Sequence, residues 1–351
     1  MRARGGHALW PLALTAPFVL LALPATAGTA PARSFAVDYT ATLEAPPGVK
    51  RVEIWLPYPE SDEHQRVSGV KVTAPGRYEV AKEPVHGNSI LHLTLDAPAE
   101  PKVDVRLSFQ VERSEYRRHD LPPMPAATGA AYTGAAEDRS KPAPPPEVAQ
   151  WLHPDRRVPL DDTIRKLAQK VTLGQRGDLA KARAIYDYVV ATMSYDKSGT
   201  GWGNGDIYWA CDAKRGNCTD FHALFIGLAR AVGIPARFEI GLPLPAERGG
   251  GEIAGYHCWA EFYLAGYGWV PVDASEAKKH LDKKEYFFGA LDENRVQLSV
   301  GRDLWLSPRQ AGEPLNYFVY PYVEIDGKAD AKVARSLRFQ DLPPAAAGAG
   351  R

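Results

Sequence analysis

Apolar and polar residues alternate along several short runs between residues 34 and 113. A period of two is typical of β-strands that bury one face. The apolar positions of these runs are Phe35, Val37, Tyr39, Ala41 and Leu43; Val52, Ile54 and Leu56; Leu91, Leu93 and Leu95; and Val103, Val105, Leu107, Phe109 and Val111. Turn-forming segments at residues 46–48, 75–76 and 86–88 separate them. We therefore predict a small antiparallel β-sandwich over residues 34–115, with a structural or docking role.

A proline-rich segment follows, and the apolar spacing then changes to that of helices. Seven prolines lie between residues 121 and 146, among Ala, Gly, Ser and Thr. Such a segment cannot bury a core, so we predict a linker at residues 116–147. Helical spacing begins after it, in two stretches that Asp161 or Asp162 and Asp178 could cap. The glycine-rich segment 199–205 lacks the Lys-Ser/Thr of a phosphate-binding loop, and we expect a flexible surface loop there.

The composition is that of a globular protein and excludes several classes. The chain has 351 residues, 45% of them hydrophobic, with 42 basic and 42 acidic side chains. Because there is no basic excess, we expect neither nucleic acid nor a membrane surface as a partner. With 3 cysteines the chain is not a disulfide-framework protein.

The first 27 residues have the pattern of a cleaved secretory signal. Two arginines precede an apolar run over residues 8–23, and the small-residue segment Pro24-Ala25-Thr26-Ala27 follows it. The run is broken by Pro11 and Pro17 and is shorter than the roughly 20 apolar residues of a membrane span. We therefore predict a periplasmic or secreted protein. At the other end, the Ala- and Gly-rich residues 343–351 are predicted to be disordered.

Residues 216–233 place a cysteine at the start of a helix. The helical face after Cys218 is formed by Phe221, Leu224, Phe225, Leu228, Ala229 and Val232. Gly233 and Pro235 then end the helix. At a helix start the free backbone N–H groups and the positive end of the dipole favour thiolate over thiol. Cys218 is therefore a candidate nucleophile, although buried cysteines at helix ends can also be inert.

A predicted β-hairpin supplies partners for this cysteine. Residues 256–264 alternate, so that His257, Trp259, Glu261 and Tyr263 face one side and Cys258, Ala260, Phe262 and Leu264 the other. A turn at residues 265–268 leads into a second strand that ends at Asp273. A register with an even sum puts His257 and Asp273 on the same face. A carboxylate beside an imidazole is what a general base for a thiol requires, so Cys218, His257 and Asp273 form a candidate catalytic triad.

Four blocks in this order resemble the transglutaminase-like superfamily. They are Arg215-Gly216-Asn217-Cys218-Thr219-Asp220-Phe221, Gly233-Ile234-Pro235-Ala236-Arg237, Tyr256-His257-Cys258-Trp259-Ala260-Glu261 and Gly268-Trp269-Val270-Pro271-Val272-Asp273. The resemblance covers about residues 178–276. It implies an α+β fold with a papain-like core, in which a helix bears Cys218 as nucleophile and an antiparallel sheet bears His257 as base and Asp273 as orienting acid. It also implies that an additional β domain in front of the catalytic core is common.

The resemblance implies an aromatic or polar side chain that helps to bind the oxyanion. Tyr195, Trp202, Tyr208 and Trp209 are the candidates, and the spacing does not choose among them; the Cys218 backbone N–H is the first donor we expect. The calcium sites of the animal enzymes have no match, so no metal or other cofactor is predicted.

For several residues near the candidate triad we predict a structural role. Asp220 is expected to complement the helix dipole and Arg237 to form an ion pair. Tyr256, Trp259 and Trp269 are expected to pack around the triad.

The odd number of cysteines suggests a pairing. In an oxidising compartment, a disulfide between Cys211 and Cys258 would leave Cys218 as the free thiol. An alternative is a zinc site of the three cysteines with His257. Its spacing lacks the short Cys-x2-4-Cys loop of structural zinc, and Cys258 points away from His257.

Beyond Asp273, four runs indicate further strands within a catalytic domain spanning residues 148–342. They are residues 286–289, 295–300, 316–325 and 332–339, with a turn at Asp326-Gly327, and we expect them to complete or cover the catalytic sheet.

Together these features predict a secreted cysteine-dependent enzyme that transfers acyl groups from amide bonds. Its substrate would be a peptide or protein of the cell envelope, and hydrolysis is favoured because no second organised acceptor site is evident. Two alternatives stay open: a transglutaminase that uses an amine acceptor, and a non-catalytic binding module on the same fold.

Overall fold

The computed structural model describes residues 30–121, 143–329 and 333–343. The predicted signal peptide, most of the predicted linker and all but the first residue of the predicted tail lie outside these residues. The boundaries predicted for the two domains therefore stay a prediction.

Antiparallel strands make up most of the ordered structure. The strands are β1 (Ala32–Glu44), β2 (Arg51–Pro57), β3 (Gln65–Thr73), β4 (Arg77–Lys82), β5 (Ser89–Asp96), β6 (Lys102–Ser114), β7 (Tyr116–Arg117), β8 (Ser194–Tyr195), β9 (Arg215–Gly216), β10 (Ala236–Pro243), β11 (Gly250–Glu252), β12 (His257–Leu264), β13 (Gly268–Val272), β14 (Ala290–Leu291), β15 (Arg295–Val300), β16 (Tyr322–Ile325), β17 (Lys328–Ala329) and β18 (Val333–Asp341).

The helices of the described residues all lie between β7 and β14. They are α1 (Pro146–Ala149), α2 (Asp162–Val171), α3 (Gly177–Thr192), α4 (Ile207–Ala213), α5 (Cys218–Ala231) and α6 (Ala274–Lys279), with short 3-10 turns at Gln150–Leu152 and Leu281–Lys283. Asp161 caps α2 as predicted, by accepting a hydrogen bond from Ile164 N. Asp178 does not cap α3 but lies in its first turn, because that helix begins at Gly177. No helix in the described part of the chain is long and apolar enough to cross a membrane.

Two five-stranded antiparallel sheets form the strand-rich region at the N-terminus. Their strand orders are β11-β18-β1-β6-β3 and β17-β16-β2-β5-β4. The alternating apolar residues of β1 and β6 are almost fully buried and belong to one core cluster with those of β2 and β5. The period-two pattern predicted these buried faces.

The C-terminal strands correct one expectation. We expected all the runs after Asp273 to complete or cover the catalytic sheet. Among the strands there, β15 does so, but β18 pairs with β1 over nine residue pairs and β16 pairs with β2. The long β1, with alternating buried residues, has room for a partner on each side, and β18 takes the side that β6 leaves open. Both ends of the described chain therefore build the N-terminal sheets.

A four-stranded antiparallel sheet, in the order β13-β12-β10-β15, carries one half of the candidate site. Helix α5 packs on β12 and β10 and carries the other half. Thirteen of the fourteen residues of α5 are buried. The helix is thus the central element of the core and a rigid support for its first residue. Gly233 follows in a left-handed conformation, with φ of 79°, as the predicted stop requires.

Candidate active site

Cys218 is the first residue of α5 and is 1% exposed. The helix start is held by a capping box: the Asn217 side chain accepts a hydrogen bond from Thr219 N at 2.9 Å, and Asp220 accepts one from Asn217 N at 3.0 Å. The thiol therefore lies at the positive end of a well-formed, buried helix, where a negative charge is stabilised.

His257 and Asp273 come together across the predicted hairpin. The register pairs Ala260 with Val272 and Glu261 with Pro271, which is an even-sum register, the condition for His257 and Asp273 to share a face. His257 Nε2 lies 2.7 Å from Asp273 Oδ2, and the two residues are 6% and 0% exposed. The hairpin thus places an imidazole and a carboxylate in direct contact inside the protein.

Asp273 is held by several donors besides His257. Arg295 Nη1 donates to Oδ2 at 3.1 Å, and Ser275 Oγ and Glu276 N donate to Oδ1, each at 3.0 Å. Burial opposes the charged form, but His257 and Arg295 outweigh it and hold the pKa of Asp273 well below its ordinary value. The carboxylate is therefore fixed in place and ionised.

The remaining nitrogen of His257 is available to Cys218. Because Nε2 is bonded to Asp273, Nδ1 is the ring atom left for the thiol. Burial opposes protonation of the imidazole, but Asp273 and Cys218 raise the pKa of His257 to about 10. Burial likewise opposes the thiolate, but the neighbouring Cys258 and the His257 imidazolium outweigh it and hold the pKa of Cys218 well below its ordinary value. These two pKa shifts favour a thiolate-imidazolium pair.

A second histidine connects the two halves of the site. His222 Nδ1 lies 2.8 Å from the Cys218 carbonyl oxygen, and Ala274 N donates to His222 Nε2 at 3.2 Å. A carbonyl oxygen only accepts, so Nδ1 carries the hydrogen and the ring is neutral. Burial lowers the pKa of His222, in keeping with the neutral form. His222 was not among the predicted site residues, although its position four residues after Cys218 puts both on one helix face.

Arg295 is the other residue that sequence reasoning missed. It lies on β15, is buried, and its guanidinium packs 4.9 Å from the Trp259 ring while it bonds to Asp273. Trp259 in turn donates to Glu239 at 2.7 Å. No local motif marks Arg295, because its place next to Asp273 depends on the pairing of β15 with β10.

The pairing of β10 with β12 also creates a buried acidic pair. Arg237 bonds to both Glu239 and Glu261, at 3.0 Å and 2.5 Å, which confirms the expected ion pair. Burial, partly offset by Arg237, and the neighbouring Glu239 raise the pKa of Glu261 to about 8. The Glu261 carboxyl contacts Arg237 and Glu239 on the neighbouring strand and none of the triad residues. We therefore assign it to the packing of the sheet and not to the triad.

The glycine-rich loop is held against α5, which corrects the expectation of a flexible surface loop. The Asp220 carboxylate accepts hydrogen bonds from Gly203 N at 2.7 Å and from Gly205 N at 3.0 Å. The buried Arg302 donates to the Gly205 carbonyl at 2.9 Å. The glycine content predicted a flexible loop, but the buried carboxylate of Asp220 holds the loop in place beside the start of α5.

The predicted oxyanion candidates lie in different places. Tyr195 pairs with Gly216, two residues before Cys218, and burial and the charge of Cys218 raise the pKa of Tyr195. Tyr208 and Trp202 use their donors elsewhere, on Asp161 at 2.6 Å and on Gly199 O at 3.1 Å. Trp209 packs against Arg215 at 5.6 Å. Of the four, Tyr195 is the one that this strand pairing brings next to the start of α5.

Tyr256 forms part of the site as well as of its packing. Its hydroxyl lies 2.8 Å from Asn217 Nδ2 and 2.9 Å from Thr219 Oγ1. Its ring packs against Tyr317 at 5.4 Å and Tyr320 at 5.8 Å. These tyrosines form an aromatic wall next to the first turn of α5.

The proposed disulfide between Cys211 and Cys258 is wrong. All three thiols are free. Cys258 Sγ lies 3.8 Å from both Thr219 Oγ1 and His222 Nδ1, because its side of β12 packs on the first turn of α5. Cys211 lies on α4, where burial and nearby acids raise the pKa of its thiol to about 11. Over residues 30–121, 143–329 and 333–343, no group of three or more His, Cys, Asp or Glu side chains is arranged to hold a metal ion.

Comparison with known proteins gives three findings. The family model of the transglutaminase-like superfamily matches residues 165–274. A protein of uncharacterised function from Haemophilus influenzae is 30% identical over 312 residues, which cover 79% of this chain and 81% of that one. The crystal structure of a candidate cysteine protease from Cytophaga hutchinsonii aligns with a TM-score of 0.53 at 17% identity, over 89% of this chain and 99% of that chain. The matched residues 165–274 contain Cys218, His257 and Asp273 and agree with the predicted resemblance.

Proposed function

The chain belongs to the transglutaminase-like superfamily, and we propose that it is a cysteine-dependent enzyme that hydrolyses amide bonds of peptides or proteins through a thioester intermediate. In this proposal Cys218 is the nucleophile and His257 the general base and acid. Asp273 is the carboxylate that orients the imidazole and stabilises its protonated form.

The observation that carries the proposal is the buried contact of His257 with Asp273 beside a helix-borne thiol. His257 Nε2 is 2.7 Å from Asp273, and the opposite ring nitrogen is left for Cys218. This is the arrangement that a thiol nucleophile needs, because the base must be held in one orientation and its cationic form stabilised.

The proposed reaction has two steps. The Cys218 thiolate attacks the amide carbonyl carbon, and protonated His257 gives its proton to the leaving amine, which departs as the carbon-nitrogen bond breaks and leaves a thioester. His257 then takes a proton from water, the hydroxide attacks the thioester, and the acid is released with Cys218 again a thiolate. The Cys218 N–H, one of the first N–H groups of α5 and without a partner inside the helix, is placed to donate to the oxyanion.

We further propose that the enzyme acts in the cell envelope, on a peptide or protein substrate, after its signal segment has been removed. This rests on the pattern of residues 1–27. N-terminal sequencing of the protein purified from an envelope fraction tests it: a start close to residue 28 supports export and cleavage, and a start at Met1 contradicts it.

The acyl-enzyme is the intermediate to trap. Both steps use His257, so we expect His257→Ala to form no thioester, whereas the wild-type protein quenched with acid during its reaction with an envelope extract should retain one, because protonated His257 cannot take a proton from water. Intact mass and peptide mapping would place the attached group on Cys218, and the attached group would identify the substrate. The matched control is Cys211→Ser, which should behave as the wild type.

The same assay separates the alternatives. With a labelled primary amine present, hydrolysis predicts release of the free acid, whereas incorporation of the label into the product would show transglutaminase activity instead. Labelling of Cys218 with iodoacetamide against pH tests the binding-module alternative. The proposal predicts a midpoint well below the free-thiol value of about 8.5, and a Cys218 with ordinary thiol behaviour in the folded protein would refute it.

A further inference from the structure

The aromatic wall beside the first turn of α5 has no role in the proposed mechanism. Its members Tyr256, Tyr317 and Tyr320 are half-buried. The Tyr256 hydroxyl lies 2.9 Å from Thr219 Oγ1, and Tyr256 immediately precedes His257 in the chain. The wall thus lies next to both the helix turn that bears the nucleophile and the strand that bears the base, and its partly exposed rings are in a position to contact a substrate.

Arg335, on β18, lies against this wall. Its guanidinium carbon is 3.6 Å from the centre of the Tyr320 ring, and that ring meets the Tyr256 ring edge to face at 5.8 Å. A guanidinium stacked on an aromatic ring is held in one plane, which leaves the N–H groups at its edge for a planar acceptor. The Tyr320 ring therefore orients the charged end of Arg335.

The place of Arg335 on β18 is unusual for an exposed residue. Leu337 and Phe339, two and four residues later, point to the same face of the strand and are 5% and 6% exposed, whereas Arg335 is exposed. The core-facing side of β18 is therefore open to solvent at Arg335. The strand also runs beside the segment that leads into His257, because Ile253 N donates to the Leu337 carbonyl at 2.8 Å. An extended substrate bound at the aromatic wall can reach Arg335 through this opening.

The charge of Arg335 has no acidic partner among the residues that the structure describes. On the same strand, Arg338 is paired with Glu252 at 3.5 Å, but no ion pair within the described ranges includes Arg335. A guanidinium binds a carboxylate through two parallel hydrogen bonds, and this is the interaction for which its planar shape is best suited. An oriented guanidinium without a carboxylate, close to the nucleophile, is therefore suited to a carboxylate of the substrate.

We propose that Arg335, supported by Tyr320, binds a carboxylate of the substrate peptide and so selects substrates with an acidic side chain or a free C-terminus near the scissile amide. The inference rests on the proposed function, because it takes Cys218 as the nucleophile of an amide-cleaving enzyme. The two ring contacts put Arg335 on the order of 10 Å from the first turn of α5, which an extended peptide spans in about three residues. We therefore expect the carboxylate about three residues from the scissile bond.

The test uses two series of alanine peptides that alkylate Cys218 without turnover. Peptidyl chloromethyl ketones place their residues on the acyl side of the site, and N-bromoacetyl peptides place theirs on the leaving-group side. Within each pair the peptides differ in a single Asp or Asn at the second, third or fourth position from the reactive carbon. One further pair of bromoacetyl peptides differs in a free or amidated C-terminus, which distinguishes a terminal carboxylate from that of a side chain.

The rate of alkylation at Cys218, located by peptide mapping, is the measurement. We expect the carboxylate-bearing member of one pair to react about 10-fold faster than its neutral partner, in keeping with a hydrogen bond between charged groups. Because the arginine is exposed, this preference should weaken as the salt concentration rises.

Variants of Arg335 assign the preference. Arg335→Gln should remove it, so that the two members of the pair react at equal rates, and Arg335→Lys should keep part of it, because the charge remains and the planar fork is lost. Arg338→Gln is the matched control on the same strand and should keep the full preference, since Arg338 is engaged with Glu252. Iodoacetamide carries no group for Arg335 and should alkylate Cys218 at the wild-type rate in all three variants.

Failure of the inference and failure of the proposed function give different results. Equal rates within every pair of both series, or a preference that persists in Arg335→Gln, would overturn the carboxylate site even though Cys218 reacts rapidly with iodoacetamide. A Cys218 that reacts with iodoacetamide as an ordinary thiol refutes the proposed function itself. If circular dichroism shows that Arg335→Gln does not fold, Arg335→Lys decides, since an undiminished preference in that variant contradicts recognition by the planar guanidinium.

Discussion

Replacing Asp273 by Asn removes the charge that supports the imidazolium while it keeps the size of the side chain. The wild-type contact is 2.7 Å between His257 Nε2 and Asp273 Oδ2, with both groups buried. An amide can still accept a hydrogen bond from Nε2, but it carries no charge to offset that of the ring. The variant therefore tests the electrostatic part of the arrangement.

The size of the effect follows from the pKa of His257. Its pKa is raised from 6.5 to about 10, and at about 1.4 kcal/mol per pH unit the difference is roughly 5 kcal/mol. Asp273 and Cys218 share this stabilisation. If about half comes from Asp273, its loss lowers the pKa of His257 by about 2 and shifts the equilibrium between the thiolate-imidazolium pair and the neutral pair about 100-fold toward the neutral pair, which slows the alkylation of Cys218. In the variant Arg295 faces a neutral amide, so a buried ion pair is broken. This should lower the free energy of unfolding by about 3 to 5 kcal/mol.

The assay is the pH dependence of the iodoacetamide reaction at Cys218, with the fold checked by circular dichroism and thermal unfolding. Asp292→Asn is the matched control, since Asp292 lies 3.4 Å from Arg295 and is partly exposed. It should leave the midpoint of the pH profile unchanged. A folded Asp273→Asn protein with the wild-type midpoint would refute the argument that Asp273 sustains the thiolate-imidazolium pair.

Two further predictions concern groups around the site. Asp220→Asn replaces one of the two carboxylate oxygens that accept hydrogen bonds from the loop 199–205 with an amide donor. This should lower the free energy of unfolding by about 1 to 3 kcal/mol and speed proteolytic cleavage of that loop. Asp212→Asn, at an exposed position, should have neither effect, and an Asp220→Asn protein that is cleaved at the wild-type rate would contradict the role of Asp220 in holding the loop. Glu261 has a folded pKa raised from 4.5 to about 8, so its proton stabilises the folded state fully below the unfolded value, and this stability is lost as the pH rises to about 8. Glu261→Gln mimics the protonated form and should therefore lose less Tm than the wild type between about pH 5 and 9; equal losses would show that Glu261 is ionised throughout.

The contact of His257 with Asp273 could be predicted because it lies within one hairpin. A short turn sets the register of a hairpin, and the register sets which side chains share a face. The position of Cys218 was equally local, since a cap, an apolar face and a glycine stop define the helix. Periodicity likewise predicted the buried faces of the N-terminal strands. These features depend on residues that are near one another in the chain.

The features that were missed depend on contacts between distant segments. Arg295 reaches Asp273 only because β15 pairs with β10, and the sequence around it has no distinguishing pattern. The Cys211 and Cys258 disulfide was inferred from the cysteine count, which contains no information about the direction of a side chain. The loop at residues 199–205 was judged by its glycines, whereas its order comes from a carboxylate some fifteen residues away.

The N-terminal sheets contribute to the site through the edge of the catalytic sheet. β15 is one of the two edge strands of the catalytic sheet, and such an edge presents unpaired backbone groups. Gln65 donates to the Gln297 carbonyl at 3.0 Å and accepts from Gln297 N at 2.9 Å, and Asn88 does the same with Val300 at 2.8 Å and 2.7 Å. Each amide side chain forms the donor and acceptor hydrogen bonds that the backbone of a neighbouring strand would form with β15. Because Arg295 lies on the same strand and bonds to Asp273, these amides help to hold the acid that orients His257, so the N-terminal region supports the geometry of the site as well as covering the sheet edge.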